Sequence, residues 1–195
     1  MKTLRTFIAV ELDQELRAKL RDLQDQLDSQ VAPRSVRWVR PEGIHLTLKF
    51  LGDTPLDRIE GVKDAVSRAA GSVRPFTLVV CGLGCVPKTR RPRVGWVGLQ
   101  EVTGNLSQLK RAVETEVAPL GFPTEKRAFH PHLTLGRVNR RASKSEVREI
   151  GEIVASIAIG TLDEMEVTAV SYIQSDLLPS GAVYTNLHEV HLGRR

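Results

Sequence analysis

The sequence predicts an α+β fold. Mostly antiparallel sheet forms two similar lobes around a central cleft, with helices packed outside. Three features of the chain point to it. Strand-like stretches come partly in pairs joined by turn residues, with helical stretches interspersed. The tetrapeptide His-Leu-Thr-Leu occurs twice, at 45–48 and 132–135, each time after a helix and a loop. The 195 residues contain no linker and no low-complexity segment, so a single two-lobed domain over 1–195 is expected.

The elements follow from local pattern. "LRTFIAVE" (4–11) reads as a strand. Asp13 is placed to cap a helix to about Ser29, with Leu16, Leu20, Leu23 and Leu27 on one face. "VRWV" and "IHLTLKFL" are short strands separated by the turn residues of "RPEG". A helix over 55–70 turns Ile59, Val62 and Val66 inward. The order then repeats, with strands at 76–86 and 94–99 around a basic loop, and a helix over 103–118 carrying Leu106, Leu109, Val113 and Val117. "HPHLTLGRV" (130–138) is a strand, and Ser143 with Glu146 has the form of a capping box ahead of Val147, Ile150, Val154 and Ile157. The last segment reads as two strands, 164–175 and 182–192, joined as a hairpin by "LLPSG".

Composition narrows the function classes. No apolar run reaches the roughly 20 residues of a membrane-spanning helix, and the N-terminus lacks the features of a signal peptide, so a cytoplasmic location is expected. The net charge of +5 suits a polyanionic partner, and basic residues cluster in "KTRRPR" (88–93) and "RVNRRASK" (137–144). Those clusters read equally as solvated loops or as a nucleic-acid contact. Cys81 and Cys85 have no second cysteine pair to complete a zinc site and read as core thiols.

Strand alternation puts His45, Thr47 and Lys49 on one face and Leu46, Leu48 and Phe50 on the other. In the second copy His130, His132 and Thr134 share a face opposite Leu133 and Leu135. Facing each other across a cleft, the two polar faces bring together two imidazoles and two hydroxyls. One imidazole can take a proton while the other gives one, and the hydroxyls can hold a charged oxygen. That set suits phosphodiester hydrolysis without a cofactor. A single His-x-Thr is weak evidence, since an isolated histidine is usually a satisfied surface or core residue, but two copies among five histidines form a pattern. A zinc site of His45, His130 and His132 is the competing reading; it leaves the threonines unexplained and has no carboxylate beside either motif. His188 and His191 fall on opposite faces of a strand and read as surface residues, and no G-x-S-x-G elbow is present.

Two motifs of histidine, hydrophobic, serine or threonine, hydrophobic are the signature of the two-histidine phosphoesterases. The chain resembles their RNA 2′,3′-cyclic phosphodiesterase branch, also called 2′-5′ RNA ligases, along nearly its whole length. "RTFIAVEL", "VRWVRPEGIHLTLKFLGD", "KRAFHPHLTLGR" and "SDLLPSGAVYTNLHEVHL" carry the likeness. The resemblance implies a bilobal fold and an RNA substrate, such as a tRNA fragment or oligonucleotide, whose 2′,3′-cyclic phosphate end is opened to a 2′-phosphate. It implies His45 as general acid for the 3′ oxygen and His132 as the base that activates water, with the labels interchangeable. Thr47 and Thr134 would hold phosphate oxygens, and ATP-independent 2′-5′ ligation would be an accompanying activity. No metal or cofactor is implied, and a monomer is the expectation.

Arg137 resembles an arginine common after the second motif and suits phosphate neutralisation, although alternation places it with Leu133 and Leu135 unless Gly136 bends the strand. His130 is a candidate for positioning His132 or the substrate. Phe7 and Tyr184 are candidates for stacking on a base, with core packing as the alternative. Trp38 and Trp96 read as structural, and Arg90 and Arg91 as a loop that steers RNA to the cleft. The reading from a different class is a non-catalytic module gripping RNA ends in the same cleft.

Overall fold

The computed structural model describes residues 2–179 and 181–193. The chain runs β1 (Thr3–Glu11), α1 (Gln14–Asp28), β2 (Val36–Trp38), β3 (His45–Pro55), α2 (Ile59–Gly71), β4 (Phe76–Val86), β5 (Val94–Gln100), α3 (Asn105–Val117), β6 (His132–Val138), α4 (Lys144–Ser156), β7 (Thr161–Val167), β8 (Ala169–Leu178) and β9 (Gly181–His191). The helix starts follow the sequence signals. The Asp13 carboxylate accepts from the Leu16 N–H at 2.8 Å, and Ser143 with Glu146 forms the reciprocal capping box. Leu16, Leu20, Leu23 and Leu27 are all buried, as their spacing requires.

Two antiparallel sheets result, one of four strands in the order β3-β1-β8-β9 and one of five in the order β2-β6-β5-β4-β7. The lobes interleave along the chain. β2 lies between β1 and β3 in sequence yet pairs with β6 of the other sheet. Helices α2 and α3 back the four-stranded sheet, while α1 and α4 contact β7 and β4 of the five-stranded one.

The strand expected over 164–175 is two strands in different sheets. β7 pairs with β4, β8 pairs with β1 and β9, and Thr168 between them accepts the Leu192 N–H at 2.8 Å. The physical reason is the change in burial. Residues 164–167 alternate exposed and buried, whereas Val170, Ser171, Tyr172 and Ile173 are all buried because β8 is an inner strand covered on both faces. The β8–β9 hairpin forms as expected, and Ser180 of its turn lies outside the described residues. β6 starts at His132, so His130 sits in the loop ahead of it.

A β-bulge interrupts each motif strand at the same point. Ala9 pairs with Thr47 and Ile8 with Lys49, so Leu48 is the extra residue in β3. Trp96 pairs with Thr134 and Gly95 with Gly136, so Leu135 is the extra residue in β6. The bulge reverses the alternation beyond it. Lys49 is therefore 6% exposed on the core side and Phe50 69% exposed, the reverse of simple alternation. In β6 the same reversal makes Gly136 buried and Arg137 exposed, which puts Arg137 on the face of His132 and Thr134. The bulge at Leu135, rather than a bend at Gly136, resolves the parity of Arg137.

Each bulge is backed by a buried polar side chain. Gln24 of α1 is 5% exposed and donates through Nε2 to the carbonyls of Leu135 and Val39, both at 2.8 Å. Lys49 donates to Glu114 of α3 at 2.6 Å and to the Pro123 carbonyl at 2.8 Å, and Glu114 also accepts from Lys110 and from the Glu125 N–H. Burial alone would raise the Glu114 pKa, but the Lys110 and Lys49 ammoniums together lower it. Gln24→Leu removes the Gln24 donor from the Val39 carbonyl and leaves the Leu135 carbonyl with the Val39 N–H alone, and is expected to cost about 1–3 kcal/mol in urea unfolding with an unchanged m-value. Lys49→Met is expected to cost about 3 kcal/mol by the same measurement, because it removes one member of a buried ion pair.

Candidate active site

Both histidines stand at the first position of a motif strand, and both are held by a carbonyl two residues upstream. The His45 ring donates to the Gly43 carbonyl. His132 Nδ1 lies 2.7 Å from the His130 carbonyl oxygen, which leaves its Nε2 for the cleft. Gly43 ends a 3-10 turn at Pro41–Gly43, and a Cβ there would meet the Tyr184 ring at 3.1 Å.

Each imidazole also lies against an aromatic ring from the neighbouring strand. His45 stacks on Phe7 of β1, with ring centroids 4.6 Å apart and planes 25° apart, and meets Tyr184 of β9 edge-on at 5.3 Å. His132 lies 6.1 Å from Trp96 of β5, tilted by 56°. Burial among these rings pushes the His45 pKa down to about 4; the Gly43 carbonyl and the Glu11 carboxylate act in the opposite direction, and Arg17 adds to the lowering. His45 is thus neutral at neutral pH in the ligand-free protein.

Thr47 and Thr134 are half-buried on the faces of the two histidines, and neither hydroxyl has a hydrogen-bond partner among the described residues. β3 and β6 approach each other directly, so the two motifs come together from different sheets. The Tyr184 phenol on β9 is pushed up by burial and eased down by the charges of the Arg137 and Arg5 guanidiniums.

The remaining expected residues divide. Tyr184 is 36% exposed beside His45, whereas Phe7 is 2% exposed with one ring face covered by His45, so it packs the histidine rather than presenting a surface. His130 contributes its carbonyl, while its exposed side chain lies in the loop. His188, read as a surface residue, is half-buried with Nε2 2.9 Å from Ser67 Oγ of α2. Cys81 and Cys85 are free and half-buried rather than fully in the core.

Four contributors are not visible to sequence reasoning. Alternation puts Phe50 on the wrong face, because a bulge leaves no periodic signal. Trp96 reads as purely structural, because the β5–β6 register is not written locally. The Gly43 carbonyl has no side-chain signature. Glu11 pairs with His45 across β1 and β3, and its carboxylate also accepts from Ser171 at 2.8 Å and Asn186 at 3.1 Å. Among the described residues, no group of three or more His, Cys, Asp or Glu is placed to hold a metal ion.

One imidazole and one free hydroxyl on each of two bulged strands make the constellation of a two-histidine phosphoesterase. The model of the LigT-like phosphoesterases matches residues 10–96 and again 97–184, one motif in each match, and the chain belongs to this family. An RNA 2′,3′-cyclic phosphodiesterase of Methanothermobacter thermautotrophicus is 33% identical over 97% of this chain and 99% of its own. A solved protein of Thermus thermophilus superposes with a TM-score of 0.81 at 28% identity, over 98% of this chain and all of its own. E. coli LigT in complex with 3′-AMP superposes with a TM-score of 0.72 at 25% identity over the whole of both chains.

The His45 environment sets a pH dependence. Its folded pKa, about 4, lies below the unfolded value near 6.5, so between these values only the unfolded chain binds the proton. Stability is therefore expected to fall as pH drops from 6.5 to about 4, by up to about 1.4 kcal/mol per unit, and to lose this slope in His45→Ala. NMR titration of the ligand-free protein should place the His45 ring midpoint near 4.

Proposed function

We propose that this protein is an RNA 2′,3′-cyclic phosphodiesterase that opens the cyclic phosphate at an RNA 3′ end to leave a 2′-phosphate. The observation that carries the reading is the matched pair of carbonyl-tethered histidines, each with an unbonded threonine hydroxyl two residues on. The names of the curated relatives supply the substrate class.

The cyclic phosphate sits between β3 and β6. Thr47 and Thr134 donate to its non-bridging oxygens and offset the charge that grows there in the transition state. One imidazole removes a proton from water as the oxygen attacks phosphorus, and the other gives a proton to the departing 3′ oxygen. Water supplies one oxygen and two hydrogens. One hydrogen stays on the oxygen that joins phosphorus and the other passes to the base, while the 3′ hydroxyl takes its hydrogen from the acid, so the two histidines exchange states before the next turnover. The scheme uses no metal ion. With the 5′ hydroxyl of a second strand in place of water as the attacking group and the 3′ oxygen still departing, the same groups would join the two strands through a 2′-5′ linkage.

The family resemblance gives His45 the acid role and His132 the base role. An anionic phosphate in the cleft favours the protonated form of His45 that this requires. Neutral His45 in the empty cleft favours the reverse assignment. The pH profile of kcat/KM separates them, because it reports the free enzyme. With His45 as acid, kcat/KM declines above about pH 4; with His45 as base, it declines below about pH 4.

Incubation with a short RNA bearing a 2′,3′-cyclic end is expected to yield the 2′-phosphate with undiminished rate in EDTA. His45→Ala and His132→Ala should each lower kcat by about 10²–10⁴-fold, and Thr47→Ala or Thr134→Ala by about 10²–10³-fold. Tight binding of the cyclic end without turnover by the intact protein would replace this reading with the non-catalytic module.

A further inference from the structure

Both basic sequence clusters line one groove. The β4–β5 loop contributes Arg90, Arg91 and Arg93, the turn after β6 contributes Arg140 and Arg141, and Lys144 opens α4. Arg37 of the edge strand β2 and Arg137 of β6 form the floor. Among the described residues no acidic side chain lines the groove. These eight cationic side chains exceed the net charge of +5, so the rest of the molecule is net acidic.

The arrangement carries a cost that calls for an anion. Arg37 and Arg137 sit directly opposite each other on paired strands, where like charges repel. Among the described residues none of the eight pairs with a carboxylate, although seven other Lys and Arg residues of the chain do.

The walls are built rather than loose. The Asn139 side chain accepts the Arg141 N–H at 3.0 Å and donates to the Arg34 carbonyl at 3.2 Å, tying the β6–α4 turn to the segment before β2. In the β4–β5 loop Pro92 is buried, and the Arg93 N–H donates to the Val86 carbonyl at 2.8 Å. Gly151 lets α4 press on this loop, since a Cβ there would stand 1.7 Å from the Thr89 carbonyl.

The groove is continuous with the cleft. Along β6 the residues facing the cleft are His132, Thr134 and, past the bulge, Arg137, which is also the first residue of the groove floor. A single phosphate is satisfied by a few cations, whereas this track extends over two loops and an edge strand. Guanidinium suits repeated phosphates spaced along a strand.

We propose that this groove binds the sugar–phosphate backbone of the RNA strand on the 5′ side of the cyclic end, so that the preferred substrate is an oligonucleotide rather than a cyclic mononucleotide. It rests on the cleft being the cyclic-phosphate site. The test compares the wild type with Arg90→Ala/Arg91→Ala/Arg140→Ala/Arg141→Ala, all exposed positions whose loss a thermal melt can check for folding. The ratio of kcat/KM for a cyclic-ended RNA several nucleotides long to that for a cyclic mononucleotide is expected to fall at least ~10-fold in the variant. A second measurement does not depend on turnover. In the His45→Ala background, the same RNA with a 2′-phosphate end is titrated by fluorescence anisotropy at several salt concentrations. The slope of log affinity against log salt should shrink by about 0.7 for each RNA phosphate that the variant no longer neutralises.

An unchanged ratio with an unchanged slope overturns the proposal. So does a wild-type affinity that ignores salt, or an oligoglutamate that displaces the RNA as well as a second RNA does. If neither cyclic substrate is cleaved by the wild type while the difference in slope persists, the reading of the cleft fails and the groove stands as an RNA site.

Discussion

The site depends on one backbone constraint, the extra residue that follows the threonine of each motif. Without the bulge at Leu48, Lys49 would share the face of His45 and Thr47, and Phe50 would enter the core. Without the bulge at Leu135, Arg137 would turn inward with Leu133. Each bulge is met from behind its sheet by a buried polar contact to a helix. Gln24 does so from α1, whereas Lys49 reaches α3 through Glu114. Those helices belong to opposite halves of the chain, so each half of the sequence supports a bulge in the other half.

The two lobes repeat a plan but not its chemistry. Phe50 and Arg137 occupy the same place relative to their bulges, as do Lys49 and Gly136. The four-stranded sheet presents an apolar cleft face, where Phe7, Ala9 and Ile173 form a buried cluster of their own beneath His45 and Tyr184. The five-stranded sheet presents Arg137 and leaves His132 exposed beside Trp96. One histidine is therefore desolvated and held neutral while the other meets solvent, although their backbone tethers are alike. A nearly symmetric pair of motifs thus acquires two different environments.

Much of this is legible along the chain. Helix boundaries follow capping residues and the spacing of leucines and valines, because these are local effects. The paired His-x-Thr motifs are visible because strand alternation holds over the three residues from His45 to Thr47 and from His132 to Thr134. The stretch 164–175 reads as one strand because both of its halves favour extended backbone, and nothing local says that they join different sheets. Phe50 and Arg137 are misplaced by simple alternation because the bulge lies between them and the motif. Trp96 is missed because the residue it faces lies on another strand.

The sequence by itself determined the chemistry: which residue types stand at alternate positions, where helices begin, and that two equivalent strands must face a common space. Those follow from covalent order and the two- and 3.6-residue periods of the backbone. Only the tertiary structure decided the rest. It chose which face each residue past Leu48 and Leu135 occupies, which carbonyls hold the imidazoles, and how far His45 is stripped of water. It also drew two distant runs of arginine into one groove. Register, burial and charge proximity are properties of pairs of segments, and no single segment carries them.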